Sequence, residues 1–151
     1  MDAVTYPNKK VIEFVQSKFI PLQLRSNAEP YATDYRVKWT PSLLVVDAKG
    51  IEHHRITGFL GPVELISTLL LGMGKAYFCR DQLKEAIECF EQVVSEYSYT
   101  GSAPEAMFFR GVAQYKNTHQ PDHLKKAYQK LQEDYPGSEW AKRAYPYWNL
   151  P

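Results

Sequence analysis

The sequence predicts an α+β N-terminal part with about three strands, followed by an all-α C-terminal part of helical hairpins. Short apolar runs bounded by turn residues, which are typical of strands, occur only before Ser67. Apolar residues at helical spacing continue after that point. The chain has 151 residues, of which 44% are hydrophobic and 14% aromatic, so it can bury a core and is not expected to be disordered.

The first two predicted elements are a helix and a strand. Apolar residues at positions 11, 12, 14, 15 and 19 fit one side of a helix over residues 9–19, and Asn8 is placed to cap it. Residues 20–24 are predicted to form a strand, in which Pro21 must lie where no ladder donor is needed.

A β-hairpin is predicted after a short polar segment. Tyr31 and Tyr35 are four residues apart, as on one face of a helix. Residues 43–46 are apolar and partly β-branched, which is typical of a strand covered on both faces. Residues 47–50 supply turn-forming side chains before a second strand over residues 51–56, so the pattern indicates a hairpin.

The order of these elements resembles the C-terminal two thirds of the thioredoxin fold, over about residues 1–70. The resemblance is most specific at Trp39-Thr40-Pro41-Ser42-Leu43, which is followed by a buried strand, by Asp47-x-x-Gly50 and by Gly58-Phe59. It implies that the Thr40–Pro41 peptide bond is cis and faces the active site. It also implies that the backbone of Thr40 pairs with a bound extended chain, so Thr40 and Pro41 would form a peptide-contact site.

The redox motif of the thioredoxin family is missing from this chain. In that family C-x-x-C lies at the start of the helix that precedes the segment resembling residues 1–18. Thiol–disulfide exchange needs a thiolate of lowered pKa with a resolving thiol beside it. Cys79 and Cys89 are ten residues apart in helical sequence and are expected to be reduced, packed thiols. Either the natural protein is longer, or the chain is a form without redox activity.

The region after Ser67 resembles a tetratricopeptide repeat, whose pattern is W-x₂-L-G-x₂-Y, then A-x₃-F, then P. The chain has Leu70-x₂-Met73-Gly74-x₂-Tyr77, then Ala86-x₃-Phe90, then Ser98 at the proline position. The small residues Gly74 and Ala86 would let two antiparallel helices approach closely. Tyr77 and Phe90 would fill the space between them.

A weaker second match lies 38 residues further along the chain. It contains Phe108-x₂-Gly111-Val112-x₂-Tyr115, then Leu124, Tyr128 and Pro136 in place of Ala86, Phe90 and Ser98. Ser102-Ala103-Pro104-Glu105 is predicted to be a capping box with proline in the first helical turn. These signals predict five helices joined by short turns in the repeat region.

No Gly/Ser-rich or Pro-rich spacer separates the two parts. The helix that opens at Gly61-Pro62 is predicted to continue into the first repeat helix. We therefore expect a thioredoxin-like domain over residues 1–66 and a repeat domain over residues 67–151 that share one rigid helix.

In tetratricopeptide proteins the first helix of each pair lines a concave groove that holds an extended peptide. By this resemblance the groove would be lined by Leu71, Lys75, Phe78, Cys79, Phe109 and Ala113. The repeat core would contain Gly74, Tyr77, Ala86, Phe90, Gly111, Tyr115 and Tyr128. The alternative is that so few repeats form no groove, and the lining residues only pack against the neighbouring part of the chain.

Composition argues against several classes of partner and site. The formal net charge is +1, which gives no electrostatic reason to expect nucleic acid or an anionic membrane as partner. The longest apolar run is far shorter than the ~18 residues that span a bilayer, and no apolar leader follows Met1, so we expect a cytoplasmic protein. Adjacent strand residues such as His53 and His54 point to opposite faces, so we expect no metal site, and no pattern predicts a cofactor or catalysis.

The leading functional hypothesis is a non-catalytic protein–protein interaction or scaffold protein, which binds a protein or peptide through its repeat-like helices. The alternative is the C-terminal portion of a thioredoxin-family thiol–disulfide oxidoreductase whose C-x-x-C lies upstream of Met1. A third hypothesis is a structural or assembly subunit without a peptide ligand. We also expect a homodimer, because a small sheet with an open edge at residues 20–24 invites pairing with another chain.

Overall fold

The computed structural model describes residues 1–150. Within that range the chain forms seven α-helices, a two-stranded antiparallel sheet and a C-terminal 3₁₀ helix. The elements are α1 (Lys9–Lys18), α2 (Tyr31–Asp34), β1 (Ser42–Val46), β2 (Glu52–Thr57), α3 (Pro62–Cys79), α4 (Leu83–Glu96), α5 (Ala103–Thr118), α6 (Asp122–Asp134), α7 (Glu139–Arg143) and the 3₁₀ helix (Tyr145–Asn149). The prediction of a mixed fold with a helical C-terminal part is confirmed.

The predicted hairpin is present. β1 and β2 pair with Ser42 opposite Thr57, and the register shifts between Val45 and Val46. The Asp47 carboxylate accepts the backbone N–H groups of Lys49 and Ile51 in the turn, at 2.9 and 3.0 Å. These bonds hold the turn closed, as Asp side chains commonly do.

Residues 20–24 do not form a strand, contrary to the prediction. Neither β1 nor β2 pairs with them, so the sheet described for residues 1–150 has two strands in place of about three. The segment is exposed, with Ile20 at 99% and Leu22 at 72% of their full accessibility. Its side chains suit a strand, but a strand also needs a neighbour to complete the hydrogen-bond ladder, and the described chain supplies none.

The N-terminal helix is anchored at its start. The Asn8 side chain accepts the backbone N–H groups of Lys10 and Val11, which confirms the predicted cap. Val11 is buried in the main core. Just before the helix, the buried hydroxyl of Thr5 donates to the carbonyl of Leu60 at 2.6 Å. The start of the chain is therefore fastened to the loop that leads into α3.

Helix α3 lies between the sheet and the other helices. It runs without a break through the predicted domain boundary at residues 66 and 67, and every residue from Leu65 to Gly72 is buried. A Cβ added at Gly72 would lie 2.6 Å from Cγ2 of Val45, and one added at Gly74 would lie 2.5 Å from the ring of Phe90. The two glycines therefore set how closely α3 approaches β1 on one side and α4 on the other.

The remaining helices pack in sequence as antiparallel neighbours. α3 contacts α4, α4 contacts α5, and α5 contacts α6. In the second pair a Cβ at Gly111 would overlap the Cβ of Ala127. Gly111 thus occupies the place that Gly74 has in the first pair. The 38-residue alignment, which assigns that place to Val112, is wrong by one residue here, because side-chain volume at the helix crossing decides the register.

The predicted capping box does not form. Ser102 precedes α5, but its hydroxyl makes a 3.1 Å hydrogen bond with the hydroxyl of Thr68 instead of capping the helix. Glu105 forms an ion pair with Lys75. Both side chains reach α3, so the start of α5 is held by contacts with another helix. No helix within residues 1–150 combines the length and the apolar character needed to cross a bilayer.

The crossing of α5 and α6 predicts the effect of Gly111→Ala. The new methyl group would meet Ala127 and the backbone carbonyl of His123, neither of which can swing aside. We expect a loss of about 1–3 kcal/mol in the free energy of unfolding, although alanine is the better helix former. Urea unfolding measures the change. Gly137→Ala, where an added Cβ meets nothing within 4 Å, is the matched control and should change it by less than ~0.5 kcal/mol. Equal stability of the two variants would contradict the prediction.

Candidate functional site

The groove predicted on the helical hairpins is closed. Leu71 has 1% of its full accessibility and Ala113 is fully buried, so neither side chain can touch a ligand. Phe78 and Phe109 pack edge to face with their ring centroids 6.0 Å apart. Of the six predicted lining residues, Cys79 is the exposed one, at the end of α3. Phe109 contacts both Phe78 and Lys75, so these three side chains pack on one another where the groove was predicted.

The predicted repeat core is largely buried. Gly74, Gly111, Ala86 and Phe90 are buried, and Tyr77 is partly buried against the main core. Two residues behave differently from the others. Tyr115 is 38% exposed near the end of α5, so it is not a core residue. Tyr128 is partly buried, and its ring packs on Tyr145 and Trp148 from the C-terminal segment.

Exposed apolar side chains are concentrated in the first part of the chain. Twelve of the sixteen large hydrophobic residues that are exposed within residues 1–150 precede Glu64. They are Val4, Tyr6, Ile12, Ile20, Leu22, Leu24, Tyr31, Trp39, Val46, Ile51, Phe59 and Val63. Single exposed apolar residues are ordinary on a protein surface, whereas contiguous apolar patches are typical of interaction surfaces. The sequence pattern did not reveal this, because it predicted several of them to lie in strands or helices with buried faces.

Two large aromatic side chains flank the open end of the β-hairpin. The last backbone bond there runs from the N–H of Gly58 to the carbonyl of Pro41, at 2.8 Å. Trp39 lies two residues before Pro41 and is 71% exposed, and Phe59 follows Gly58 and is also exposed. Gly58 has φ +109°, which a residue with a side chain adopts only under strain. Glycine at this position lets the chain turn out of β2 and present Phe59.

A pocket of about 410 Å³ opens beside Trp39. Its lining residues are Ser26, Val37, Lys38, Trp39 and Thr40. The Thr40–Pro41 peptide bond is cis, as the resemblance implied. The Ser42 hydroxyl donates to the carbonyl of Trp39 at 2.6 Å and so fixes the backbone next to the pocket. The predicted contact residue Thr40 therefore lines a shallow, solvent-open depression together with the exposed Trp39.

A second pocket, of about 360 Å³, is lined by charged groups. Asp34 is the last residue of α2, and Tyr35 and Arg36 follow it. Glu52 and Arg55 belong to β2. Arg55 is paired with Glu52 at 2.6 Å and also donates to the carbonyl of Tyr35. The guanidinium is thus occupied by partners from its own chain and holds α2 against the hairpin.

His53 and His54 lie on opposite faces of the hairpin and have structural contacts. Nε2 of His53 is 2.9 Å from the carboxylate of Asp47, and both side chains are nearly buried. The hydrogen bond to His53 lowers the pKa of Asp47 most, and the bonds from the backbone N–H groups of Ile51 and Lys49 add to the effect. The resulting pKa of Asp47 is about 2. The pair joins the turn to β2. Within residues 1–150 no hydroxyl or thiol group hydrogen-bonds to either side chain.

A polar bridge connects the sheet to the helical part. Nζ of Lys75 lies 3.2 Å from Nδ1 of His54, pairs with the carboxylate of Glu105, and lies over the ring of Phe109. Lys75 thus links β2 with α5 from its position on α3. Burial lowers the pKa of His54 to about 4, and the charge of Lys75 acts in the same direction, so His54 is neutral near pH 7. The predicted groove residue Lys75 is therefore a bridging residue.

The titratable groups of the described chain show no metal centre. No cluster of three or more histidine, cysteine, aspartate or glutamate side chains suited to a metal ion occurs within residues 1–150. Both cysteines are free thiols. Burial raises the pKa of Cys89 to about 11, which disfavours the thiolate that a nucleophile needs.

Comparison of the chain with protein-family models, with curated proteins and with solved structures gives no match.

The environment of His54 predicts a pH-dependent stability. In the unfolded chain His54 takes up a proton below about pH 6.5, whereas the folded chain resists protonation until about pH 4. Stability should therefore fall as the pH is lowered from about 6.5 to about 4, by about 2–3 kcal/mol in the free energy of unfolding. The measurement is urea unfolding at a series of pH values, comparing wild type with His54→Gln, whose amide oxygen can still accept from Lys75.

The glutamine variant should lose this part of the pH dependence, and His123→Gln should keep it. The Asp47 contribution is lost at lower pH, between its ordinary pKa and about 2, so the two windows are separable. A His54→Gln variant with the full wild-type slope would contradict the assignment.

Proposed function

We propose that the chain is a non-catalytic protein-interaction module whose binding surface is the N-terminal part, and whose helical hairpins act as a rigid support. The observation that carries the proposal is the uneven distribution of exposed apolar side chains, most of which lie before Glu64. The helical part offers no comparable surface, since its predicted groove is filled by Phe78, Phe109 and Lys75. We therefore expect a peptide to bind on the sheet side of the molecule and not on the repeat-like helices.

The pocket beside Trp39 is the centre of the proposed surface. Aromatic side chains are enriched among the residues that dominate binding energy at interfaces, since they bury a large area with few rotatable bonds. Trp39 and Phe59 flank the open end of the hairpin, and Thr40 lines the pocket next to Trp39. The partner class that fits is an extended peptide segment with apolar side chains, held by backbone contacts at Thr40.

We further propose that the two parts are distant relatives of known folds, thioredoxin-like over residues 1–66 and tetratricopeptide-like over residues 67–151. Support for the first is the hairpin that follows Thr40-Pro41 and packs on a helix. Support for the second is the pair of glycines at the helix crossings, Gly74 facing Phe90 and Gly111 facing Ala127. The second candidate function follows from the first resemblance. The pocket at Thr40 suits the C-terminal portion of a thiol–disulfide oxidoreductase whose C-x-x-C lies upstream of Met1.

Substitution of Trp39 tests the proposed surface. Peptides selected from a displayed library of random linear sequences should shift the amide NMR signals of residues 37–42 and 57–59. Trp39→Ala should weaken their binding about tenfold or more, because an exposed tryptophan at a pocket rim contributes strongly to an interface. Tyr99→Ala is the matched control, since Tyr99 is 75% exposed on the helical part, and it should leave affinity unchanged. Peptides whose signals map to α3 and α5 would refute the assignment.

A disulfide-reduction assay tests whether this chain has catalytic activity of its own. We expect no turnover of insulin disulfides by this chain with dithiothreitol as reductant, because Cys79 and Cys89 are not arranged as C-x-x-C and burial raises the pKa of the Cys89 thiol. Turnover above a protein-free blank that Cys79→Ser abolishes would contradict the non-catalytic proposal.

A further inference from the structure

The segment at residues 20–24 makes no backbone hydrogen bonds to the rest of the described chain. Within residues 1–150, none of its four N–H groups donates a hydrogen bond to the rest of the chain; they belong to Ile20, Leu22, Gln23 and Leu24. The chain leaves α1 with an extended backbone at Phe19, directly before the segment, where φ is −133° and ψ is 160°. An extended, exposed stretch with unpaired backbone groups is a template for strand addition.

The side chains of this segment repeat with the period of a strand. Ile20, Leu22 and Leu24 are all exposed and lie at every second position, so in a strand they share one face. The other positions hold Pro21 and Gln23. The pattern is symmetric about Leu22, with an apolar residue two positions away on either side. In a two-fold antiparallel pair centred on Leu22, each of these apolar residues would therefore meet an apolar residue of the second copy.

We propose that this segment, here named the pairing segment (residues 20–24), forms an antiparallel strand pair with the same segment of a second copy, centred on Leu22. The inference rests on the proposed interaction role of the N-terminal part and names a second copy of the chain as its partner. In this register Leu22 faces its own copy, and Ile20 faces Leu24 of the partner. A two-fold pair of this kind closes on itself and gives a dimer and not a filament.

The position of proline selects the hydrogen-bonding phase of the pair. In an antiparallel ladder, directly opposed residues alternate between pairs that exchange two hydrogen bonds and pairs that exchange none. If Leu22 exchanges bonds with its copy, then Ile20 and Leu24 do so as well. Pro21 and Gln23 then lie at positions without bonds, where the missing N–H of proline has no cost. Ile20, Leu22 and Leu24 therefore all exchange backbone hydrogen bonds with the second copy, and their side chains share one face of the strand pair.

Charge at the proposed pair is compatible with this register. The pairing segment carries no ionisable side chain, and the flanking Arg25 lies opposite Phe19 of the second copy and not opposite another cation. Like charges directly opposed across a strand pair would destabilise it. The contact is small for a specific interface, so we expect association in the micromolar range.

Sedimentation equilibrium from about 5 to about 200 μM tests the proposal. Wild type should pass from the 17.4 kDa monomer towards twice that mass. Leu22→Lys places two ammonium groups face to face on the two-fold axis and should remain monomeric. Leu22→Pro removes the central bonds and should also remain monomeric. Gln23→Pro is the matched control, because its N–H points away from the partner, and its dissociation constant should stay within about threefold of wild type.

The three substitutions lie in an exposed segment without internal hydrogen bonds, and circular dichroism should show unchanged folding. A monomeric wild type throughout the range would overturn the proposal, as would a Leu22→Lys variant that still dimerises or assembly beyond the dimer. Loss of the dimer in Gln23→Pro would overturn the register and with it the pairing. Because peptide binding is tested at Trp39, a monomer that still binds peptides refutes only the dimer, and a dimer that binds none refutes only the peptide site.

Discussion

The close approach of α3 to both of its neighbours is the constraint on which the rest of the structure depends. Gly72 meets Val45 and His54 of the sheet, and Gly74 meets Phe90 of α4, so the helix has no room for a side chain at either crossing. Burial of an aliphatic side chain contributes about 1.5–3 kcal/mol, and α3 supplies several fully buried leucines to the main core. The sheet and the helical hairpins are stabilised by the same helix and are expected to fold together.

This arrangement divides the molecule into a closed part and an open part. Each helix after α3 covers the one before it, and the aromatic cluster of Phe108, Trp140 and Tyr147 closes the last layer. The sheet is covered by α3 on one face but has only two strands. Isolated two-stranded hairpins are marginally stable in water. Here the packing of Val45 on α3, the Asp47–His53 pair and the Lys75 bridge hold the hairpin in place, although Trp39 and Phe59 beside it are exposed.

The sequence predicted what depends on local pattern. The Asn8 cap, the hairpin, the unbroken helix from Pro62 and the five helices of the second part all follow from spacing and turn residues close together in the chain. It failed where distant contacts decide. Ser102 and Glu105 match a capping box, but neither caps α5. The Ser102 side chain bonds to Thr68, and the Glu105 side chain pairs with Lys75. Residues 20–24 match a strand, yet pairing depends on a neighbour that periodicity cannot supply. Leu71 and Ala113 match positions that line a peptide groove, but both are buried. Whether a groove forms depends on how many helical pairs stack and on the size of neighbouring side chains such as Phe78 and Phe109, which the local pattern does not show.

Hydrogen exchange measured by mass spectrometry on the intact chain at low concentration tests most directly whether one shared helix supports an open N-terminal surface. Exchange protection follows the free energy of the opening that exposes each amide. We expect α3 to exchange most slowly, the β1–β2 hairpin to share much of its protection, and residues 20–25 to exchange within seconds. A hairpin that exchanges as fast as residues 20–25 while α3 to α6 stay protected would contradict the shared helix, since the sheet would then open independently of the helices.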